Sequence, residues 1–207
     1  PKIAIRPEFR EIFLALATTA AGAILVWIVF DQIPAHWELA RAWTGMIGLI
    51  WMLHFGSLHL VSCFWRFFGI NAQPLMKSPI LSASLAEFWS HRWNTAFRDL
   101  SNRVLFRPLI RKIGVSGATW TVFLFSGLVH DLVISVPANA GYGLPTLYFL
   151  IQAAGMFAER RLGIVGKLAG RLFTIFAVLA PVMLLFHPPF AKTVILPFIE
   201  FLNAPFS

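Results

Sequence analysis

Long apolar runs constrain this chain more than any other feature of its sequence. The first, Ile12–Phe30, contains no charged side chain and is close to the roughly 20 residues that a helix needs to cross a bilayer. Four further runs follow, so the sequence predicts five membrane-spanning helices: Ile12–Phe30, Ala42–Phe68, Ser116–Val136, Leu144–Ala158 and Leu172–Phe186. A last run, Val194–Leu202, is too short to cross and is expected to be re-entrant or interfacial.

The composition supports a membrane setting. Hydrophobic residues make up 58% of the 207 residues and charged residues 13%, whereas soluble domains are nearer one half and one quarter. The fold class predicted is therefore all-α integral membrane and multi-pass, with residues 1–207 in a single membrane domain. The net charge of +8 comes from basic residues near the ends of apolar runs, which favours contact with anionic lipid over nucleic acid.

The distribution of basic residues predicts an orientation. Five spans place the N-terminus, Arg66–Lys112 and Glu159–Arg171 on one side of the membrane, and all three are basic. The connections Asp31–Arg41 and Pro137–Gly143 carry little charge and fall on the other side. By the positive-inside rule, the N-terminus and the segment around Ser84–Lys112 are cytoplasmic.

The stretch Ser84–Asp99 predicts an amphipathic helix lying at the membrane surface. Ser84 and Glu87 form a capping box that marks the start of a helix. Helical spacing puts polar side chains on one face: Glu87, His91, Asn94 and Arg98. A second, apolar stripe contains Trp89, Trp93, Phe97, Leu100 and Val104, as expected of an interfacial helix.

Two motifs resemble those of a known family. The segment S-L-A-E-F-W-S-H-R-W-N is similar to the E-F-W-x-R-R-W-N signature of the wax synthase-like branch of the membrane-bound O-acyltransferase (MBOAT) superfamily. The segment F-L-F-S-G-L-V-H-D-L, Phe123–Leu132, resembles the S-G-x-x-H-E block of the same branch. The motif core, residues 84–131, thus implies a helix bundle around a central cavity. Five spans are few for this superfamily, so a further alternative is a degenerate or truncated acyltransferase that needs a partner, or a second copy in a homo-oligomer, to complete the tunnel.

His130 is the strongest candidate for a catalytic residue. Ionisable side chains at membrane depth usually face a cavity or the bundle interior, and a neutral imidazole there is a suitable general base. Ser126 lies one helical turn before it. For a lone intramembrane histidine, a structural role bonded to a carbonyl is the more common alternative; the resemblance implies that His130 is the catalytic histidine.

Asn94 is the second candidate. It lies in the R-W-N triplet, where the resemblance implies an asparagine beside the catalytic histidine. Its amide would orient an acceptor hydroxyl or stabilise an oxyanion, whereas helical spacing alone favours a local capping role. Candidate substrate-binding residues are Glu87, His91, Arg92, Trp93 and Ser126.

Several of these residues also have simpler, structural explanations. Capping alone explains Glu87, Arg92 is also typical of a snorkelling interfacial arginine, and Trp93 of an interfacial anchor. His91 stands where the family usually has arginine. Asp131 stands where it has glutamate, and its shorter side chain puts the same supporting contact in doubt.

The sequence predicts neither a metal site nor a bound cofactor. His54 and His59 are five residues apart, which does not place two ligands on one helix face. Cys63 is expected to be a small buried hydrophobe. No phosphate-binding loop or dinucleotide fingerprint is present.

The resemblance implies an enzyme that transfers a fatty acyl group from an acyl-CoA thioester to a hydroxyl acceptor, as wax ester synthases do. Acyl-CoA is then a co-substrate, and the acceptor is a long-chain alcohol or another lipid hydroxyl. His130 would take the hydroxyl proton and Asn94 would assist. The alternative is a membrane channel or small-solute transporter whose polar face contains His54, Ser57, Ser126 and His130.

Overall fold

The computed structural model describes residues 5–164 and 166–204. These residues form helices, turns and loops and contain no strand, which confirms the all-α fold class. The main helices, α1 to α7 in chain order, are Phe9–Gln32, Glu38–Phe67, 85–92, Thr95–Ala138, Leu144–Arg161, Lys167–Leu185 and 188–203.

Four of these helices are long and apolar enough to cross a membrane: α1, α2, α4 and α6. The chain is therefore a membrane protein. Helix α5 covers the predicted fourth span but ends in three charged residues, Glu159, Arg160 and Arg161, so a fifth crossing stays a prediction. Val194–Leu202 lies within α7.

Contacts divide the described chain into two compact units. One contains residues 5–76 and 191–204, and the other Lys77–Phe190. A single membrane domain over the whole chain stays a prediction.

In the first unit, helices α1 and α2 approach closely through glycines. A Cβ atom on Gly22 would lie 2.5 Å from the carbonyl oxygen of Gly48, and one on Gly48 would lie 2.8 Å from that of Gly22. A Cβ on Gly45 would lie 2.6 Å from Ile199. Gly45 and Gly48 thus form a face without side chains that allows close helix packing.

Replacing Gly22 with valine is expected to force α1 and α2 apart, because backbone atoms of α2 occupy the space the side chain would need. We expect a loss of about 1–3 kcal/mol in unfolding free energy, read as a lower midpoint of thermal unfolding in detergent. Ala20→Val is the matched control, since Ala20 lies on the exposed face of α1. Equal midpoints for both variants would contradict this packing.

In the second unit, the long helix α4 bends at Gly114. Its φ of 71° and ψ of 177° lie outside the helical region and favour glycine. Beyond the bend, α4 packs against α5. A Cβ on Gly127 would lie 2.6 Å from the Cα of Thr146, and the rings of Trp120 and Phe157 stack 5.8 Å apart. The bend lets residues on both sides of Gly114 line one cavity.

Candidate active site

Three side chains anchor the start of α3. The Ser84 hydroxyl accepts a hydrogen bond from the Glu87 N–H at 2.9 Å, and the Glu87 carboxylate accepts one from the Ala83 N–H at 2.7 Å. This confirms the predicted capping box. The buried Glu159 of α5 accepts from the Leu85 N–H at 3.0 Å. Local sequence does not predict that contact, because the two residues are 74 positions apart.

The two carboxylates that cap α3 have opposite pKa shifts. The Ala83 N–H, and then the Arg92 guanidinium, hold the pKa of Glu87 below its ordinary value despite partial burial. Burial raises the pKa of Glu159, although hydrogen bonds from the α3 backbone oppose that shift. Glu87 therefore contributes its stabilisation when ionised, and that contribution is lost as the pH falls through its lowered folded pKa.

The predicted single helix over Ser84–Asp99 is interrupted at Trp93 and Asn94. Asn94 takes a left-handed conformation with φ of 40°, which asparagine tolerates better than most residues. Its side chain accepts from the Phe97 N–H at 3.1 Å and caps α4. The prediction that Glu87 shares a continuous helical face with Asn94 is therefore wrong, because the backbone turns between them.

A cavity of about 450 Å³ lies in the second unit, between α3, both arms of α4, and α5. Such a volume is typical of small-molecule sites. His130 and Asn94 both line it, so the turn at Asn94 and the bend at Gly114 bring the two motifs to one cavity. The wall is mixed, with polar residues His91, Arg98, Ser101, Ser126 and Arg160 among apolar ones such as Trp89, Phe97, Val122 and Phe149.

The geometry of His130 sets its tautomer. Its Nδ1 lies 2.7 Å from the carbonyl oxygen of Ser126. Because a carbonyl only accepts, Nδ1 carries the hydrogen, and the lone pair of the neutral ring is on Nε2. The imidazole also packs on the Phe149 ring, with centroids 4.5 Å apart. His130 therefore makes a structural hydrogen bond through Nδ1 to a carbonyl of its own helix. Its side chain also lines the cavity and carries a basic nitrogen, Nε2.

Not all predicted substrate-binding residues reach the cavity. His91, Trp93 and Ser126 line it, whereas Glu87 and Arg92 do not. Arg92 instead donates from Nε to Glu87 at 2.7 Å and from a terminal nitrogen to the Lys77 carbonyl at 3.0 Å. The functional roles of all five stay predictions.

Asp131 connects α4 to the start of α5. Its carboxylate accepts from the Ser135 hydroxyl at 2.9 Å, from the Gly143 N–H at 2.8 Å, and from both the N–H and the hydroxyl of Thr146. The shorter side chain of aspartate thus reaches the N-terminal turn of α5. Phe149, the residue against His130, lies on the same helix.

Ser135, His187 and Asp131 lie close together, but their hydrogen bonds are not those of a hydrolytic triad. The buried His187 accepts the Phe190 N–H on Nδ1 at 3.2 Å, so its Nε2–H donates toward Ser135 at 3.4 Å. Asp131 bonds Ser135 rather than the imidazole. A triad needs a histidine that accepts the serine proton and is held by the aspartate, so this cluster serves as a structural anchor.

Gln152 is a further residue near the site that motif reasoning missed. It is fully buried on α5, donates to the Ala177 carbonyl at 2.9 Å, and accepts from the Trp89 indole at 3.3 Å. Trp89 also packs on Phe123 and Phe149, with ring centroids 5.7 and 5.6 Å away. Trp89 is therefore packed into the cavity wall.

The first unit contains a separate polar cluster. Ligand-type atoms of Glu11, His59 and Cys63 lie within 4.8 Å of one another. The Arg66 guanidinium bonds Glu11 and lies 3.5 Å from the Cys63 sulfur. A cation already neutralises this cluster, which disfavours a metal ion there. Cys63 is buried as predicted, and neither His54 nor Ser57 lines the cavity around His130.

Comparison with known proteins agrees with the motifs. Residues 72–151 match the sequence profile of the membrane bound O-acyl transferase family. The resemblance to membrane-bound O-acyltransferases is thereby confirmed. No solved structure matches the chain.

Two plant proteins each match part of the chain. A long-chain-alcohol O-fatty-acyltransferase of Simmondsia chinensis is 31% identical over an alignment of 72 residues, with 31% of this chain and 20% of the relative covered. An acyl-CoA–sterol O-acyltransferase of Arabidopsis thaliana is 27% identical over an alignment of 71 residues, with 31% of this chain and 21% of the relative covered. The matched region thus covers about a fifth of each relative's length.

Proposed function

We propose that this chain is a membrane O-acyltransferase that moves a fatty acyl group from acyl-CoA to the hydroxyl of a lipid acceptor, a long-chain alcohol in the first instance. The observation that carries the proposal is that His130 and Asn94, from two separate motifs, line one cavity. The names of the two relatives support acyl transfer to an alcohol or a sterol.

In this mechanism His130 is the general base. Nε2 takes the proton of the acceptor hydroxyl as its oxygen attacks the thioester carbonyl. The bond to the Ser126 carbonyl keeps Nδ1 protonated and the ring oriented. The tetrahedral intermediate then collapses, the C–S bond breaks, and the imidazolium returns the proton to the leaving thiolate. A thioester is already activated, so no covalent enzyme intermediate is needed.

The cationic part of the cavity wall suits the phosphates of CoA. Arg98 and Arg160 both line the cavity, and guanidinium groups bind phosphate well. Arg98 donates to the Ser90 carbonyl at 2.6 Å and pairs with the exposed Asp99 at 2.7 Å, which holds its side chain beside α3. Arg92, the initial candidate, is instead committed to Glu87 and the Lys77 carbonyl.

The variant Asn94→Asp distinguishes a catalytic role of the Asn94 amide from a helix-capping role. Aspartate retains the oxygen that accepts the Phe97 N–H and tolerates the left-handed backbone, so the fold should be unchanged. It replaces the amide donor with a carboxylate, and we expect kcat to fall by about 10²–10³-fold. The measurement is the transfer rate of purified variants at matched folded fraction. A wild-type rate would make Asn94 a cap alone.

The function itself is tested with the purified full chain in detergent. We expect palmitoyl-CoA and hexadecanol to yield palmityl palmitate, detected by mass spectrometry, together with an equal amount of free CoA. A sterol in place of the alcohol tests the second acceptor class. Free fatty acid without ester would contradict the proposal, as would solute flux in liposomes without any acyl transfer.

A further inference from the structure

A buried glutamine connects a break in α6 to the wall of the cavity around His130. Helix α6 is interrupted at Pro181. Because proline has no N–H, the Ala177 carbonyl lacks the partner that it would have in a continuous helix. The Gln152 side chain donates to that carbonyl at 2.9 Å, and it accepts from the Trp89 indole at 3.3 Å. Its amide is therefore held on both sides.

These two partners allow only one orientation of the Gln152 amide. A carbonyl only accepts, so the NH2 group faces Ala177, and an indole N–H only donates, so the amide oxygen faces Trp89. The side chain of Gln152 is fully buried, which makes either bond costly to leave unmade. The position of the Trp89 ring is thus tied to Gln152.

Trp89 and Phe149 connect Gln152 to the imidazole of His130. The rings of Trp89 and Phe149 lie 5.6 Å apart with an interplanar angle of 54°, and the Phe149 and His130 rings lie 4.5 Å apart. One hydrogen bond at Nδ1 still lets the imidazole pivot, so packing against Phe149 determines where Nε2 points.

Other residues of α5 anchor α3 itself. Glu159 accepts from the Leu85 N–H at 3.0 Å. Gly155 leaves room for the Leu85 side chain, which a Cβ atom on Gly155 would meet at 2.9 Å. Both contacts lie about one helical turn before Trp89. Removing the Gln152 amide is therefore expected to disturb the Trp89 ring while α3 stays in place.

We propose that Gln152 is a positioning residue that orients the His130 base through Trp89 and Phe149. This inference rests on the proposed role of His130 in acyl transfer. Gln152 lies behind the cavity wall and takes no part in bond making or breaking. Its contribution is to keep Nε2 of His130 directed at the acceptor hydroxyl.

Gln152→Met tests the assignment, because methionine retains the length of the side chain and removes both hydrogen bonds. We expect kcat for transfer from palmitoyl-CoA to hexadecanol to fall about tenfold at matched folded fraction, with both KM values unchanged. The nitrogen NMR signals of the His130 imidazole, assigned with His130→Ala, should shift in the substrate-free variant. Trp89→Phe, which keeps an aromatic ring without the N–H, should lose a similar factor. The double variant should be little slower than either single variant.

Tyr148→Phe is the matched control. The Tyr148 hydroxyl donates to the Val178 carbonyl at 3.3 Å, so this variant also removes a hydrogen bond between α5 and α6 near Pro181. It keeps the ring that packs on Phe149 and leaves Gln152 in place. Its midpoint of thermal unfolding should fall as in Gln152→Met, whereas kcat and the His130 signals should equal those of wild type.

The outcomes separate this inference from the function on which it rests. An active wild type with an unchanged kcat in Gln152→Met would overturn the inference alone, and an unchanged kcat in Trp89→Phe would do so if the methionine variant does not fold. Raised KM values at an unchanged kcat would also overturn it, because Gln152 would then affect binding rather than the base. A wild-type chain that forms no ester would overturn the proposed function, and with it this role of Gln152.

Discussion

Replacing His130 with alanine is expected to abolish acyl transfer while the protein still folds and inserts. The change removes the Nε2 base, and general-base catalysis contributes about 10²–10⁴-fold. Within residues 5–164 and 166–204, the hydrogen bond that is lost is the one to the Ser126 carbonyl of the same helix. The measurement is ester formation by purified variant in detergent, with thermal unfolding and gel filtration to verify the fold.

His54→Ala is the matched control for this experiment. His54 is also a histidine within an apolar helix, and its Nδ1 is buried without a hydrogen-bond partner among the described residues, but it lies in the first unit and does not line the cavity. Transfer by His54→Ala should equal that of wild type. Full transfer by the folded His130→Ala protein would reject His130 as the base.

Removing the Asp131 carboxylate is expected to have the next largest effect. Asp131→Ala leaves the Gly143 N–H and both the N–H and the hydroxyl of Thr146 without their acceptor, and the Ser135 hydroxyl keeps only the Gly141 carbonyl. We expect unfolding free energy to fall by about 2–4 kcal/mol, because several hydrogen bonds to one charged acceptor are lost together. Helix α5 and Phe149 should shift against His130, and displacements near 1 Å can lower kcat about 10²-fold.

The loss of stability is measured by thermal unfolding. The loss of activity is measured separately, as kcat at a temperature where the variant is folded. Asp131→Asn retains one acceptor oxygen and should lie between wild type and the alanine variant. Asp31→Ala removes an exposed carboxylate of α1 and should change neither quantity. If Asp131→Ala has the same midpoint of thermal unfolding as wild type, this carboxylate does not anchor α5.

Local patterns in the sequence predicted the elements whose causes are local. The Ser84 and Glu87 capping box forms, and Gly45 and Gly48 lie where helices approach closely. The apolar runs become helices, and four of them have the length and composition to span a bilayer. In each case the deciding interaction lies within a few residues or depends on side-chain size alone.

The arrangement of the site depended on contacts that spacing does not encode. A continuous helix through Asn94 fits the apolar period, but the backbone turns there because asparagine accepts a positive φ and caps the next helix. The glycine at position 114 is the only local signal for the bend in α4. Glu159 and Gln152 support α3 from 74 and 63 residues away, so nothing near Ser84 points to them.

A double-variant cycle on His130 and Asn94 tests the central claim most directly. The single-turnover rate of ester formation is measured for wild type, Asn94→Asp, His130→Gln and the double variant. Residues that act on one reacting centre have strongly non-additive effects, so the double variant should be little slower than the slower single variant. If the rate losses of the two single variants multiply in the double variant, the imidazole and the amide act independently. That result would contradict a shared active site.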